Sequence, residues 1–164
     1  MSTNYDAIYG DIVFGNDANI DAIASAIAAG HDINCTANSD QWNCLHYVLN
    51  PIRESPNAEV VSSLLEQGCS VSAEDRRKWT PLHFAARTGC VATIRLLLVA
   101  GADPNVPDDQ DVTPFHRYFL QGEIEPSIVE LFLEHGGIPT EGLINFPTNC
   151  DYPTKQAVLA LLQA

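Results

Sequence analysis

Three histidines recur at regular distances along the chain. His46, His83 and His116 each end a similar pentapeptide, and they are 37 and 33 residues apart. A zinc site would require their ring nitrogens to converge at about 2 Å from one ion. Residues at equivalent positions of neighbouring structural repeats lie about 8–10 Å apart, which is the helix-packing distance. The spacing therefore favours a structural role for these histidines over a metal site.

Two other groupings carry reactive side chains, but each lacks a component that its chemistry needs. Cys44 lies two residues before His46, yet a thiol nucleophile also needs a third group that orients the base. The acidic segment 108–111 suggests calcium, but a calcium loop starting at residue 109 requires glycine at position 114 and glutamate at position 120. The chain has Pro114 and Leu120 there. The sequence therefore predicts no catalytic site, no cofactor and no metal, and an enzyme or metal protein is a remote alternative.

The composition is that of one globular domain. The chain has 164 residues, of which 46% are hydrophobic and 18% charged, and this length matches a single domain spanning residues 1–164. No apolar run approaches the roughly 20 residues of a membrane-spanning helix. The first residues contain no Lys or Arg, which a secretory signal would carry, and the five cysteines lack metal-type spacing. We expect a cytoplasmic protein in a reducing compartment.

The charge distribution limits the class of partner. Eight basic and 21 acidic residues give a net charge of −13, so direct binding to nucleic acid or to an anionic membrane is not expected. Residues 1–75 hold 11 acids and one base, residues 76–100 hold five bases and no acid, and residues 101–164 hold ten acids and two bases. A basic segment therefore separates two acidic ones.

An internal repeat organises the chain. Three pentapeptides align, at residues 42–46, 79–83 and 112–116. A second landmark is a glycine that follows an apolar segment, and four such glycines are 38, 33 and 35 residues apart. Two independent landmarks thus share a period near 33, which is typical of stacked-repeat architectures. The period divides the chain into five approximate units: 5–37, 38–74, 75–107, 108–140 and 141–164.

Each unit is predicted to contain two short helices. Thr80-Pro81 and Thr113-Pro114 combine a capping hydroxyl with a proline at the first helical position, and Asn43 occupies the equivalent place in the second unit. The second helix of each unit carries apolar residues at helical spacing and ends at a glycine. In the final half-unit we expect the second helix over residues 154–163. A single helix pair cannot bury its apolar face, so the units must stack.

The third unit closely resembles an ankyrin repeat. The match rests on Thr80–His83, Ala85-Ala86, Gly89, Leu96–Leu98 and Gly101–Asp103. The fourth unit matches well and the second fairly, whereas the first matches only over residues 23–34 and is interpreted as a divergent N-terminal cap. The resemblance implies an all-α, ankyrin-type solenoid of stacked antiparallel helix pairs, with turns that project as a row of fingers. It also implies that the histidine at the end of each aligned pentapeptide braces a finger by hydrogen bonds.

The resemblance further implies which residues face the concave binding surface. The two tryptophans of the chain, Trp42 and Trp79, occupy the same finger-base position in neighbouring units, and this position is normally exposed in the family. Trp and Arg are enriched at binding hot spots, so both indoles are predicted to project into solvent and bind a partner. The alternative is that each indole packs against its own finger or the neighbouring unit. Basic residues of the third unit should lie on the same side: Arg76, Arg77, Lys78 and Arg87.

Acidic residues flank this basic finger. Asp40 lies on the preceding finger, and Asp109 and Asp111 lie with Val112 on the following one. Two interpretations are open. In the first, the acidic fingers neutralise the basic one within the stack, where exposed ion pairs contribute well below about 1 kcal/mol each. In the second, the charges meet a partner with a matching alternation of charge, and they set the rate of approach and the register of the complex. Further concave positions are Ser39, Asn50, Pro51, Thr88, Gln110, Leu120 and Gln121.

A stack of this kind predicts a protein-binding module. Because we expect one acidic domain with nothing appended, we expect it to act by masking the functional surface of another protein. It would bind and inhibit that protein as a monomer. The leading form is an immunity protein against a cognate bacterial toxin, because many toxins that act on nucleic acid are basic and a charge of −13 would attract them. The alternative is an adaptor or signalling regulator that binds a kinase or a transcription factor.

Overall fold

The structure, a computed structural model, describes residues 24–25, 27–36, 39–50, 56–122, 124–140, 143 and 152–163. Within these ranges every regular element is helical, which confirms the predicted all-α class. The helices, numbered in chain order, are α1 (Cys44–Val48), α2 (Ala58–Glu66), α3 (Pro81–Thr88), α4 (Val91–Val99), α5 (Pro114–Phe119), α6 (Pro126–Glu134) and α7 (Tyr152–Leu162). None of the helices in the described ranges has the length and apolar character needed to cross a membrane. Most of the first unit and residues 144–151 of the last lie outside the described residues.

The predicted capping residues begin the first helix of each unit. Asn43 precedes α1, and its side-chain oxygen accepts a backbone N–H of the first turn at 3.3 Å. Pro81 and Pro114 are the first residues of α3 and α5, and the Thr113 hydroxyl accepts the N–H of His116 at 3.1 Å. A proline loses little at this position, because the first helical N–H has no intrahelical partner. These predicted helix starts are confirmed.

Glycines end the helices of the third unit where the repeat predicted them. Gly89 follows α3 with φ 64°, and Gly101 lies just after α4 with φ 89°. Glycine reaches these left-handed values without the steric cost that a Cβ atom introduces. The Gly101 N–H donates to the Leu98 carbonyl at 3.0 Å, so the turn also satisfies a carbonyl at the helix end. The chain therefore leaves each helix at a fixed point.

The helices form two layers. The first helices of successive units, α1, α3 and α5, pack side by side as an inner layer, and the second helices, α2, α4, α6 and α7, pack as an outer layer. Within a unit, α1 contacts α2 and α3 contacts α4. The last helix, predicted over 154–163, begins two residues earlier and packs on α6. The stack thus gives every helix pair the neighbour it needs to bury its apolar face.

The core lies between the two layers. Leu82 of α3 is fully buried, as are Ile94 and Leu97 of α4. In the fourth unit the ring of Phe115 stacks on that of Phe132, with centroids 5.0 Å apart. Full burial of one such side chain contributes about 1.5–3 kcal/mol. Packing between neighbouring helices therefore fixes the positions of the fingers relative to one another.

Asparagine side chains join the turns that follow the outer helices. The Asn105 amide donates to the Gly136 carbonyl at 2.9 Å, and its Oδ1 accepts the N–H of Ile138 at 2.9 Å. Asn34 forms the equivalent pair of hydrogen bonds with the turn after α2. Each bridge replaces water on two main-chain groups of the next unit, which fixes the register between neighbouring units.

Candidate functional site

The third finger is a tight turn built around a buried aspartate. The Oδ1 of Asp75 accepts the N–H of Arg77 at 2.7 Å and that of Trp79 at 2.8 Å. The main chain closes the turn, since the N–H of Asp75 donates to the Trp79 carbonyl and the N–H of Lys78 donates to the Asp75 carbonyl, both at 2.9 Å. Asp75 therefore fixes the shape of the finger from inside, while Arg76, Arg77 and Lys78 remain exposed.

Asp108 organises the fourth finger in the same way and adds an ion pair. Its Oδ1 accepts the N–H groups of Gln110 and Val112, both at 2.9 Å. Its Oδ2 accepts from Nη2 of Arg117 at 2.7 Å. Burial by itself raises the pKa of the Asp108 carboxyl, but the two amide hydrogen bonds and the Arg117 charge outweigh it and hold that pKa below its usual value. The charge of Arg117 is therefore balanced by a buried carboxylate.

The tip of each finger places a residue other than glycine in the left-handed region. Gln41, Lys78 and Asp111 have φ values of 60°, 58° and 58°. An L-residue in this region carries a cost of roughly 1–2 kcal/mol. The aligned pentapeptides did not predict this conformation, although each of the three residues stands one position before one of them. The recurrence of a polar residue at that place is the signal that identifies the tip.

His46 and His83 brace adjacent fingers, which confirms for these two histidines the role implied by the family resemblance. The Nε2 of His46 lies 3.0 Å from the Trp79 carbonyl, and that of His83 lies 3.1 Å from the Val112 carbonyl. Because a carbonyl only accepts, Nε2 carries the proton in both rings. Burial lowers the pKa of both imidazoles, to about 4 for His83, so both rings are neutral at pH 7. The described part of the chain groups no three His, Cys, Asp or Glu side chains in a way suited to a metal ion.

Trp79 does not project into solvent, so that prediction is wrong. Only 6% of the residue is exposed. Its ring meets Phe84 edge-on at a centroid distance of 5.1 Å and stacks on His83 at 5.9 Å. The guanidinium groups of Arg77 and Arg117 cover the ring, with Cζ atoms 4.4 and 4.5 Å from its centroid. These neighbours make the indole part of the core, where it supports the finger from below.

Trp42 is half-buried, so its predicted free projection is also wrong. Its ring meets Tyr47 and Phe84 edge-on, at centroid distances of 5.2 and 5.5 Å. Its Nε1 donates to the Oδ2 of Asp75 at 3.3 Å. Phe84 and Asp75 belong to the next unit, so the ring packs on the neighbouring repeat, as the alternative interpretation held. Part of the indole still reaches the surface.

The charged residues predicted for the binding surface are exposed. They lie on three consecutive fingers and at the end of α3, and we call the surface that they form the finger face: Asp40, Arg76, Arg77, Lys78, Arg87, Asp109 and Asp111. Val112 is half-buried at its edge. Of the other predicted positions, Ser39, Gln110 and Leu120 are exposed, Asn50, Thr88 and Gln121 are half-buried, and Pro51 lies outside the described residues. Repeat position thus predicted exposure correctly for the charged residues and incorrectly for the tryptophans.

Main-chain hydrogen bonds join neighbouring fingers. The N–H of Arg76 donates to the Asp40 carbonyl at 3.2 Å, and the N–H of Asp109 donates to the Arg77 carbonyl at 3.0 Å. The ion pairs of Arg77 and Arg117 use the buried finger aspartates Asp75 and Asp108.

Three arginines from different elements meet at the Trp79 ring. Arg77 comes from the third finger, Arg87 from the end of α3 and Arg117 from α5, and their Cζ atoms lie 4.4, 5.7 and 4.5 Å from the ring centroid. Guanidinium groups at such distances are attracted to the face of an indole. We call these three residues the arginine cluster. Sequence analysis missed Arg117, whose one signal was that only two basic residues follow position 100.

A family model for ankyrin repeats, in three copies, matches residues 12–108, which is more than half of the chain. The chain belongs to the ankyrin-repeat family. Ankyrin repeats are protein–protein interaction modules that generally lack enzymatic activity of their own. The exposed finger face therefore lies on a scaffold whose general role is to bind another protein.

Curated relatives share the ankyrin similarity over part of their length. The chain is 28% identical to mouse Rabankyrin-5 over 137 residues, which cover 73% of the chain and 12% of that protein. It is 38% identical to the human mitochondrial disaggregase over 84 residues, or 51% of the chain and 12% of the relative. It is 36% identical to the Arabidopsis thaliana serine/threonine-protein kinase VIK over 114 residues, or 63% of the chain and 26% of the kinase. The chain thus spans 26% or less of the length of each of these relatives.

Proposed function

We propose that this ankyrin-repeat protein binds a partner protein through the finger face and inhibits it by covering the functional surface of that partner. The observation that supports this function is a row of exposed charges on three fingers that His46 and His83 hold at fixed spacing. A preorganised face loses little conformational freedom when it binds. Inhibition then requires no reactive group on this chain, because steric cover of the partner is sufficient.

The charge pattern of the finger face determines which partner surface fits it. An acidic finger with Asp40 and an acidic finger with Asp109 and Asp111 flank the basic residues Arg76–Lys78. A partner with charges in the order basic, acidic, basic would be attracted in one register and repelled in the others. Trp42 contributes apolar area at the edge of the contact, whereas the buried Trp79 contributes by supporting the finger.

In its specific form, the proposal is an immunity-type inhibitor of a cognate bacterial toxin. The net charge of −13 supports it, because a strongly acidic protein attracts a basic enzyme before the two surfaces touch. A toxin that acts on nucleic acid would fit such a partner, because proteins that bind nucleic acid carry basic patches. In this role the chain acts as a monomer in the cytoplasm of the cell that makes the toxin.

An adaptor role in kinase signalling is the second candidate. The observation in its favour is the 36% identity to the Arabidopsis serine/threonine-protein kinase VIK, which extends over 63% of the chain. An adaptor would hold its partner without blocking the catalytic site of that partner. The two candidates therefore differ in whether the bound partner keeps its activity.

Affinity capture from the native host, followed by mass spectrometry, identifies the partner. We expect the chain to recover one basic protein and to suppress its enzymatic activity at equimolar concentration. Recovery of a kinase or transcription factor that stays active in the complex would support the adaptor role and contradict inhibition. Failure to enrich any protein over a column of unrelated acidic protein would contradict both candidates.

A matched pair of charge reversals tests whether the finger face carries the binding. Arg76→Glu reverses an exposed charge on the third finger, and Arg95→Glu reverses an exposed charge on α4 in the outer layer. Since both variants change the net charge equally, a difference between them reports on position. We expect Arg76→Glu to weaken the captured complex about tenfold and Arg95→Glu to leave its affinity nearly unchanged. The same loss in both variants would contradict the finger face.

A further inference from the structure

Two aspartates, Asp75 and Asp108, lie beside the arginine cluster and are already engaged. Asp108 forms its ion pair with Arg117 at 2.7 Å. Asp75 accepts the N–H groups of Arg77 and Trp79 with one oxygen, and its other oxygen lies 4.0 Å from Nε of Arg77. Among the described residues, two carboxylates thus face three guanidinium groups, so positive charge exceeds negative charge around the Trp79 ring.

Arg87 is the member of the cluster that has no acidic partner among the described residues. Its Nη2 donates to the side-chain oxygen of Asn50, which is neutral, and the described residues place no carboxylate within ion-pair distance of it. Burial lowers the pKa of Arg87, and the charges of Arg77 and Arg117 lower it further, because like charges crowd this region. The Nε of Arg117 is also buried without a hydrogen-bond acceptor in the described part of the chain. Within the described residues, Arg87 therefore lacks an anionic partner, and Arg117, although paired with Asp108 through Nη2, has no acceptor for its Nε.

The cluster is open to solvent on the finger face. The side chain of Arg77 is 54% exposed, and Arg87 is exposed as well. Trp79 lies beneath them and is covered by the guanidinium groups of the cluster. An anion that approaches from solvent therefore meets the accessible guanidinium groups of Arg77 and Arg87, which lie over the Trp79 ring. A bound anion would offset the repulsion among the three guanidinium groups.

We infer that the arginine cluster is a receptor for one carboxylate, the side chain of a glutamate or aspartate on the bound partner. This inference rests on the proposed function, since it names the group that the finger face receives. Guanidinium groups bind carboxylates through two parallel hydrogen bonds. A single carboxylate supplies one charge, whereas a nucleic-acid backbone would bring repeated charges against Asp109, Asp111 and a net charge of −13.

An NMR titration of the full chain with peptides tests the receptor directly. The probe is a capped Gly-Ser peptide with alternating glutamates, and the control is the same peptide with glutamine in their place. Uniform ¹⁵N labelling observes the Nε–H of Arg87 and the indole N–H of Trp79. We expect the glutamate peptide to shift both signals and the glutamine peptide to leave them unchanged. Equal shifts with the two peptides would overturn the receptor.

Charge-removing variants assign the effect to the cluster. Arg87→Gln keeps a polar side chain and should weaken glutamate-peptide binding about tenfold, with Arg77→Gln as a second variant that shows the same loss. Arg87→Lys retains the charge without the planar group and should give an intermediate loss. Arg95→Gln in the outer layer is the matched control and should bind as the unchanged protein does. A folded Arg87→Gln protein, checked by circular dichroism, that keeps full affinity would overturn the receptor.

A DNA duplex and the captured partner separate this inference from its alternatives. Tighter binding of a short duplex than of the glutamate peptide, with the same signals shifted, would overturn the carboxylate in favour of phosphate. If Arg76→Glu weakens the captured complex and Arg87→Gln does not, the proposed function stands and the receptor is overturned. If no partner is captured, glutamate-selective shifts at Arg87 still support a carboxylate receptor, although the proposed function fails.

Discussion

The indole of Trp79 connects the third finger to the inner layer of helices. It is 6% exposed, meets Phe84 edge-on and is covered by Arg77 and Arg117. Trp79→Ala should therefore lower the free energy of unfolding by about 3–5 kcal/mol, because removal of a large buried ring leaves a cavity. Trp42→Ala should cost less, since that ring is half-buried. Urea unfolding followed by circular dichroism measures both, and unchanged stability of Trp79→Ala would contradict its place in the core.

His83 should make the stability depend on pH. Burial lowers its pKa from 6.5 to about 4, against the opposing effects of the Val112 carbonyl and the charge of Asp108. Between these pH values the unfolded chain binds a proton that the folded chain does not, so stability falls as the pH falls from about 6.5 to about 4, with a slope of up to about 1.4 kcal/mol per pH unit. His46 acts in the same direction.

Denaturant unfolding at a series of pH values measures this dependence. The matched variant is His83→Gln, which removes the titrating group and keeps a side chain able to form hydrogen bonds. We expect its stability at pH 7 to be lower and its slope between pH 6.5 and 4 to be shallower than in the unchanged protein. Identical slopes in the two proteins would show that His83 does not titrate in this range.

The finger tips offer a substitution that should stabilise the protein. Lys78 has φ 58°, so Lys78→Gly removes the cost of a left-handed L-residue, which is larger than the flexibility that glycine adds to the unfolded chain. We expect the free energy of unfolding, measured by thermal or urea unfolding, to rise by about 0.5–1 kcal/mol. Gln110→Gly is the control, because Gln110 is exposed on the next finger and its φ is not positive. The free energy of unfolding of that control should fall by about 0.4–1 kcal/mol. A similar fall in Lys78→Gly would contradict backbone strain at the finger tip.

At the scale of helices, the residues that begin and end each element could be predicted from the sequence. Pro81 and Pro114 begin α3 and α5, and Gly89 and Gly101 lie just beyond α3 and α4. These signals are local, because a cap or a left-handed glycine acts on the helix directly beside it. The period of the repeat then places each element next to its neighbours.

The burial of the two tryptophans could not be predicted in the same way. Arg117 lies 38 residues after Trp79 along the chain, and its position over the ring depends on the packing of α5 against α3. Phe84 belongs to the third unit, so its ring meets Trp42 of the second unit only after these two units have stacked. The position within a repeat fixes where the backbone places a side chain, whereas neighbouring units decide whether that side chain is covered.

Packing between outer helices can be tested at α4. Leu97 is fully buried and Val99 is 71% exposed on the same helix. Leu97→Ala should lower the free energy of unfolding by about 2–5 kcal/mol through loss of buried surface and formation of a cavity. Val99→Ala, the control, should change it by no more than about 0.5 kcal/mol. Similar losses in the two variants, measured by urea unfolding, would contradict the observed orientation of α4.

At the scale of the whole molecule, the amount of charge and its arrangement act on different steps of binding. The net charge of −13 acts at a distance and sets the rate of encounter with a basic partner. The alternation on the finger face acts at contact, where it sets register and the lifetime of the complex. Sequence alone established the first property and the order of charges, while the structure adds that these charges are exposed.

Two double variants with the same change in net charge separate these effects. Asp109→Lys with Asp111→Lys reverses the fourth finger, and Glu130→Lys with Glu134→Lys reverses exposed positions on α6. Surface plasmon resonance with the captured partner should show slower association for both, because steering weakens. Only the finger variant should also dissociate about tenfold faster, since it places like charges in contact. Equal dissociation rates would mean that net charge alone governs binding and that the alternation on the finger face has no role in register.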